Sequence, residues 1–334
     1  MLESGTIVPG FKLAYTTLGQ RDINGSNVVW IFHALTANSD PSEWWPGIVG
    51  EGKLFDPAEY FIICVNMPGS CYGSIGPLEI NPETGEPWYH DFPFFTPRDM
   101  IRAYQHLKNH LRIEKIHIGI GGSMGGQQLL EWATEETGLF EFIFPIATNA
   151  EHSAWGKAFN ASQRMCIEID PEWKNRNELS GMEGMKVARS IALISYRQYN
   201  TYKETQADHG DALQHFKSES YQRYQGEKLA RRFNAFSYYV LTQGMDAHNL
   251  GRGRGGVTNA LSQIKAKTLS IGVTSDVLYP VSEQAFIAAN IPGAEFALIE
   301  SLYGHDGFLL EFETLKKLIR GFMSKKTDRL HISK

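Results

Sequence analysis

Three side chains, spread along this sequence, have the types and the order needed for nucleophilic acyl transfer. Ser123 lies in Gly-Gly-Ser-Met-Gly at residues 121–125, a match to the pattern G-x-S-x-G, and Asp276 and His305 follow it in the chain. A serine hydroxyl becomes a nucleophile when a histidine takes its proton, and an aspartate holds that histidine in the required tautomer. The order serine, aspartate, histidine therefore predicts a catalytic triad.

The residues around Ser123 predict a strand, a sharp turn and a helix. An apolar, β-branched run precedes the glycines, and helix-forming residues follow them. A dinucleotide-binding turn is an alternative, but Gly119, Gly121 and Gly125 are spaced one residue too widely, and no acidic residue closes a second strand about 20 residues later. A glycine-serine loop without chemistry is the other alternative. The flanking strand and helix favour the catalytic interpretation over both.

Patterns of buried strands recur before and after the middle of the chain. Continuous apolar runs predict strands at residues 28–32, 61–65, 140–146, 268–273 and 295–299. Helical patterns separate most of them, and Thr-Pro-Arg-Asp at residues 96–99 is a typical helix start. This alternation predicts an α/β fold with a mostly parallel, doubly wound sheet.

The strand pattern is interrupted between residues 149 and 250. Helices are predicted there at residues 155–169, 185–199, 218–225 and 229–246. We interpret this insert as a helical lid, which divides the chain into a first core part at 1–148, a lid at 149–250 and a second core part at 251–334. Gly-Arg-Gly-Arg-Gly-Gly at residues 251–256 contains G-x-G-x-x-G, but no strand precedes it, and we interpret it as a flexible linker.

The composition favours a globular protein that acts on small molecules. Acidic residues outnumber basic ones by 37 to 32, and no basic block indicates a nucleic-acid partner. The three cysteines show no spacing typical of zinc sites or disulfides, which favours a cytoplasmic location. Neither a secretion signal nor an apolar run long enough to span a membrane is evident. We expect a soluble protein without a membrane partner.

The loop after the strand at residues 28–32 is a candidate second part of the site. A backbone N–H from such a loop can stabilise the oxyanion that forms during acyl transfer, together with the N–H of the residue after the nucleophile. These donors would be Leu35 and Met124. His33 precedes Leu35, but no second metal ligand stands near it in the sequence, and we expect it to be structural.

Longer motifs strengthen this interpretation, because the chain resembles the homoserine O-acetyltransferases of the α/β-hydrolase superfamily. The resemblance rests on segments spread over nearly the whole chain: HALT at 33–36, CYGS at 71–74, INPETG at 80–85, RDM at 98–100, GGSMGGQQLLEWA at 121–133, AFNASQR at 158–164, DPEW at 170–173, SYQRYQGEKLARRF at 220–233, SDVLYP at 275–280 and YGHD at 303–306. Several are far more specific than G-x-S-x-G.

The resemblance implies an α/β-hydrolase fold and a role in methionine biosynthesis, with acetyl-CoA as co-substrate, homoserine as acceptor, no bound cofactor or metal, and a homodimer. It implies the triad Ser123, Asp276 and His305, with Leu35 and Met124 as oxyanion donors. It further implies that Arg164 binds the carboxylate of the amino acid, that Asp306 faces its ammonium group, and that Tyr196 lines the substrate channel.

Some positions depart from the family pattern. Gly69-Ser70-Cys71 replaces a Gly-Gly-Cys motif, Ala37 replaces a glycine, and residues 234–236 read Asn-Ala-Phe instead of Asp-Ala-Asn. These departures leave succinyl-CoA open as donor and serine open as acceptor. An esterase and a non-catalytic binding protein on the same scaffold are the further alternatives.

Overall fold

The computed structural model describes residues 1–211 and 213–332, and a seven-stranded sheet lies at its centre. The strands are β1 (Tyr15–Leu18), β2 (Val28–Phe32), β3 (Phe61–Val65), β4 (Ile116–Gly122), β5 (Phe140–Ile146), β6 (Lys267–Val273) and β7 (Glu295–Ile299). Their order in the sheet is β1-β3-β2-β4-β5-β6-β7, and only β1 is antiparallel to its neighbour. The predicted mostly parallel sheet is confirmed.

Helices cover both faces of this sheet and fill the insert. They are α1 (Pro41–Trp44), α2 (Pro97–His110), α3 (Met124–Glu135), α4 (Ala154–Glu168), α5 (Met182–Tyr196), α6 (Tyr199–Thr205), α7 (Lys217–Ala230), α8 (Ala235–Asp246), α9 (Val257–Ser262), α10 (Val281–Asn290), α11 (Gly307–Leu310) and α12 (Phe312–Ile332). Helices α4 to α8 fall between β5 and β6, where the lid is predicted.

The alternation of side chains along β2 explains the two packed layers. Val28 and Trp30 belong to the hydrophobic cluster that includes α2, α3 and α10, whereas Val29 and Ile31 belong to the cluster that includes α12. Successive side chains of a strand point to opposite faces, so a continuous apolar run requires cover on both. Each fully buried aliphatic side chain contributes roughly 1.5–3 kcal/mol to this packing.

One predicted helix is broken in the structure. Residues 229–246 read as a single helix in the sequence, but α7 ends at Ala230 and α8 begins at Ala235. Asn234 causes the new start, because its side-chain oxygen accepts a hydrogen bond from the N–H of Ser237 at 2.8 Å. The break leaves Arg232 in a short connection, outside any helix.

Residues 251–256 are tied to the core by ion pairs, which differs from the flexible linker predicted from their composition. Arg254 contacts Glu131 at 2.7 Å and Glu135 at 2.6 Å, both on α3. Arg98 contacts Glu131 from the other side at 2.6 Å. Because the Glu131 side chain is only 2% exposed, its charge depends on both guanidinium groups.

This network generates a stability prediction within one loop. We expect Arg254→Ala to lower the free energy of unfolding by about 3 kcal/mol, because it removes a partner from a buried carboxylate. Arg252 serves as the matched control: it meets Glu3 at 3.3 Å, its side chain is 45% exposed, and its replacement by alanine should cost no more than about 1 kcal/mol. Urea unfolding of both variants measures the difference, and equal losses would contradict the prediction.

Candidate active site

Ser123 lies in a strained turn between β4 and α3. Its φ and ψ are 57° and −127°, in a region that costs a non-glycine residue about 1–3 kcal/mol. Two hydrogen bonds hold it there: the N–H of Ser123 donates to the carbonyl of Ile146 at 3.0 Å, and the hydroxyl of Thr148 donates to the carbonyl of Ser123 at 2.7 Å. The turn raises the serine side chain at the carboxyl edge of the sheet, where ligands bind in open parallel sheets.

Glycines beside Ser123 allow the tight packing of this turn. A Cβ atom on Gly121 would lie 2.5 Å from the carbonyl oxygen of Gly125, and a Cβ atom on Gly125 would lie 2.1 Å from the carbonyl oxygen of Phe32. Both distances are too short for any side chain. The glycines of the motif are therefore required by the approach of α3 to β2 and β4.

Asp276 and His305 form a buried pair at the ends of β6 and β7. Nδ1 of His305 donates to Oδ2 of Asp276 at 2.6 Å, and the other carboxylate oxygen accepts backbone N–H bonds from Leu278 at 2.8 Å and Tyr279 at 2.9 Å. These bonds hold the carboxylate in one orientation. The pair therefore fixes the histidine tautomer, with Nε2 left as the proton acceptor.

The environment of His305 shifts its basicity. Burial lowers the pKa of the imidazole, but the charge of Asp276 and the hydrogen bond to it raise the pKa by more, so that it lies above the usual value of 6.5. Ser123 and His305 line the same cavity, although no hydrogen bond joins their side chains within the described residues. Such contacts often tighten only when substrate is bound.

His33 anchors the loop that follows β2. Its Nε2 accepts the N–H of Met67 at 3.1 Å, so its Nδ1 carries the proton and donates to the carbonyl of Ala34 at 2.9 Å. Complete burial lowers the pKa of His33 to about 4, which keeps it neutral. It thus fixes the backbone just before Leu35.

The two predicted oxyanion donors lie at the same edge of the sheet. Phe32 of β2 is paired with Gly121 of β4, so the residues that follow each strand emerge side by side. Leu35 and Ser123 both line the cavity, and Met124 is the first residue of α3. Neither the Leu35 nor the Met124 amide donates a turn hydrogen bond in the chain as described. Both N–H groups can therefore serve a substrate oxygen.

A cavity of about 350 Å³ opens above the pair of Asp276 and His305. Its lining comes from the core and from the lid: Leu35, Ser123, His305 and Asp306 from the core, and Arg189, Tyr196 and Arg232 from the lid. The Arg189 guanidinium lies over the Tyr196 ring, 5.4 Å from its centre. Arg189 forms no ion pair among the residues that the structure describes.

Arg164 lies outside this cavity, which corrects the role that the resemblance implied for it. It belongs to α4, and its Nη2 contacts Oδ2 of Asp246 at 2.6 Å. Arg164 is not part of the lining that Ser123, His305 and Asp306 share. Two other lid arginines line the cavity, and Arg189 is the one beside Tyr196. It stands seven residues before Tyr196 on α5, a spacing that puts both side chains on one helix face and could have revealed it in the sequence.

Asp306 and Tyr196 lie where the resemblance places them, at the cavity wall. Oδ2 of Asp306 is already engaged, because Arg197 contacts it at 2.7 Å. The ring of Tyr196 lies 5.7 Å from that of His305. The carboxylate of Asp306 is thus partly compensated and oriented by the lid.

Arg232, which the sequence did not single out, joins the lid to the oxyanion loop. Its Nη1 donates to the carbonyl of Thr36 and to the hydroxyl of Tyr72. Thr36 directly follows Leu35. The arginine therefore supports the backbone that carries Leu35, one of the two predicted oxyanion donors.

Comparisons with known proteins agree with this geometry. A family model described as the alpha/beta hydrolase fold matches residues 27–312. The homoserine O-acetyltransferase of Cyclobacterium marinum is 47% identical over 96% of this chain and 92% of its own length. The chain belongs to the homoserine O-acetyltransferase family. The crystal structure of the Bacillus anthracis homoserine O-acetyltransferase is similar in fold, with a TM-score of 0.90 at 24% identity over 96% of this chain and 94% of that one.

Other α/β-hydrolases share the fold as well. Esterase E22 has a TM-score of 0.87 at 23% identity, with 96% of each chain covered. At that identity the likeness concerns the fold alone. None of the described helices is both long and apolar enough to cross a bilayer.

One departure from the family pattern lies at this cavity. Ala37 lines it directly. Cys71 is beneath the lid, where its thiol contacts the carbonyl of Arg232 at 3.5 Å, and Asn234 caps α8. Ser70, the residue that departs in the first motif, is buried and lines a separate, smaller cavity together with Asn234.

The raised pKa of His305 generates a prediction about pH. The histidine must be neutral to accept the serine proton, so kcat/KM with p-nitrophenyl acetate should fall as pH decreases, with a midpoint above 6.5. Asp276→Asn should remove the raising effect, move the midpoint below that value and lower the rate by about 10⁴-fold. A pH profile of both proteins tests this, and a midpoint that does not move would contradict it.

Proposed function

We propose that this chain transfers an acetyl group from acetyl-CoA to the hydroxyl of L-homoserine through an acyl-serine intermediate. The family assignment supports this reaction. The observation that carries it is a single cavity lined by Ser123, by His305, whose Nδ1 is held by Asp276, and by Arg189, whose guanidinium has no carboxylate partner among the described residues. Such a site suits an acyl acceptor that bears a carboxylate.

The first half-reaction acylates the serine. Oγ of Ser123 attacks the thioester carbonyl carbon while its proton passes to Nε2 of His305. The amides of Leu35 and Met124 stabilise the oxyanion, and Asp276 stabilises the imidazolium. The carbon–sulfur bond then breaks, and the CoA sulfur leaves with the proton from His305.

The second half-reaction transfers the acetyl group. The hydroxyl of homoserine gives its proton to Nε2 of His305 and attacks the acyl carbonyl carbon. The bond to Oγ of Ser123 breaks, and the serine recovers its proton from the histidine. The product is O-acetylhomoserine, which places the reaction in methionine biosynthesis.

Charged groups of the cavity can orient the acceptor. Arg189 offers its guanidinium to the carboxylate, the part that the resemblance assigned to Arg164. Asp306 faces the ammonium group while Arg197 holds its Oδ2. An amino acid held at both its carboxylate and its ammonium group can place its hydroxyl only as far away as its side chain reaches. The side chain of homoserine is one carbon longer than that of serine, so we expect its hydroxyl to reach the acyl-serine more readily.

The proposal also includes a cytoplasmic location and a homodimer. The free cysteines at positions 64, 71 and 166 agree with a reducing cytoplasm. Lid helices α4 and α5 expose Met165, Val187 and Ile194, each more than half exposed, which agrees with a homodimer formed through the lid.

A substrate panel tests the reaction. Homoserine and serine, each with acetyl-CoA and succinyl-CoA, should yield O-acetylhomoserine as the main product by mass spectrometry. Ser123→Ala should lower the rate by at least about 10³-fold. Release of free acetate at the same rate with and without an acceptor would favour an esterase instead. Full activity of Ser123→Ala would reject the acyl-serine mechanism.

A pair of arginine variants tests how the acceptor binds. Arg189→Met should raise KM for homoserine by about 10- to 100-fold, because a hydrogen-bonded charge pair contributes about 1.5–3 kcal/mol, while acetylation of Ser123 continues. Arg164→Met is the control: loss of its contact with Asp246 should lower stability and leave that KM unchanged. Steady-state kinetics and thermal unfolding separate the two. An increase of KM only in Arg164→Met would restore the first assignment.

A further inference from the structure

The hydroxyl of Tyr279 is a buried polar group inside the catalytic centre that the reaction above does not use. Tyr279 is 1% exposed, and its hydroxyl completes no hydrogen bond with another described residue. An unpartnered buried hydroxyl costs about 1–3 kcal/mol, so few remain in a native protein without a reason. The position of the Tyr279 hydroxyl suggests why it has been left without a partner.

Backbone and ring contacts fix where the phenol lies. The N–H of Tyr279 donates to Oδ1 of Asp276 at 2.9 Å, so the residue belongs to the turn that orients the triad carboxylate. The ring lies against the imidazole of His305, with centres 5.1 Å apart and planes inclined by 31°. The side chain is thus held on both sides by members of the triad.

The phenol of Tyr279 lies beside Ser123. Burial raises the pKa of the phenol, and the neighbouring Tyr196 and Asp276 raise it further, whereas the Ser123 hydroxyl acts in the opposite direction as a nearby hydrogen-bonding group. The ring of Tyr279 lies against His305, and His305 and Ser123 line one cavity, so the phenol and the serine are neighbours, although their hydroxyls form no hydrogen bond with each other in this structure. The phenol stays protonated at neutral pH and remains able to donate.

We propose that the hydroxyl of Tyr279 is a catalytic group that donates a hydrogen bond to Oγ of Ser123 while negative charge is present on that oxygen. Charge develops there when His305 takes the serine proton during attack, and again when the bond from the acyl carbon to Oγ breaks. The phenolic proton remains on Tyr279 throughout. The proton of Ser123 goes to Nε2 of His305 and returns by the same route.

This role differs from that of the oxyanion amides. Leu35 and Met124 stabilise the former carbonyl oxygen, whereas Tyr279 stabilises the oxygen that attacks and later leaves. Donors placed where charge develops are effective because they are already oriented in a site with little water. The proposal rests on Ser123 as nucleophile, but it does not depend on the identity of the acceptor.

The test measures the reactivity of Ser123 without any acceptor. The probe is a fluorophosphonate, and the readout is the second-order rate of labelling, followed by intact mass. Tyr279→Phe removes only the hydroxyl and should lower this rate by about 10- to 100-fold, as expected for the loss of one hydrogen bond to a charged oxygen. Its melting temperature should equal or exceed that of the parent, because the lost hydroxyl had no partner.

Tyr104→Phe is the matched control. Tyr104 is also 1% exposed, but its hydroxyl donates to Oε1 of Gln128 at 2.8 Å, away from the triad. This variant should lose stability and keep the parent labelling rate. A parent-like labelling rate of Tyr279→Phe would overturn the proposal, and so would slow labelling accompanied by a stability loss as large as that of Tyr104→Phe. Labelling that persists in Ser123→Ala would instead reject the nucleophile itself.

Discussion

The candidate active site depends on a single backbone constraint, the strained conformation of Ser123 with its positive φ. The sheet supports this conformation because β4 lies between β2 and β5, and the serine N–H bonds to the end of β5. Neighbouring parallel strands also deliver the other parts of the site to the same edge. Leu35 follows β2, Asp276 follows β6 and His305 follows β7, so the strained turn stands among groups that need no large movement to act.

The distribution of charge explains which groups are free for substrate. Arg164 and Asp246 compensate each other, and so do Arg197 and Asp306 in part. Arg189 has an aromatic ring rather than a carboxylate beside it. A cationic group in a partly enclosed cavity is costly without a counter-charge, so the carboxylate that we propose as its ligand would gain much of its binding free energy from Arg189.

Much of this arrangement could be predicted from the sequence, because the relevant signals are local. Continuous apolar runs define the buried strands, and G-x-S-x-G encodes a turn that only small residues permit. The positions of Asp276 and His305 follow from their places after strands. The triad could therefore be predicted without coordinates, and the structure pairs Asp276 with His305 and places Ser123 and His305 at one cavity.

Other features depend on contacts between distant segments, which local patterns do not reveal. The sequence around Arg164 does not indicate that its partner is Asp246, which lies 82 residues later. The segment that contains Arg252 and Arg254 has the composition of a flexible linker, and only the structure shows that Glu3 and Glu131 form ion pairs with it. Tyr279 reads as an ordinary aromatic residue, and only its proximity to Ser123 makes its hydroxyl chemically interesting.

The contact of Arg232 with Thr36 has a consequence for the lifetime of the acyl-serine that we propose. This arginine lies between α7 and α8, so any outward displacement of those helices would withdraw it from the loop that carries the Leu35 amide. Bulk water would then enter just as that amide lost its support. Without that amide the acyl carbonyl would be less electrophilic, so the water that enters would attack it more slowly. The contact between Arg232 and Thr36 would in this way limit hydrolysis of the acetyl group.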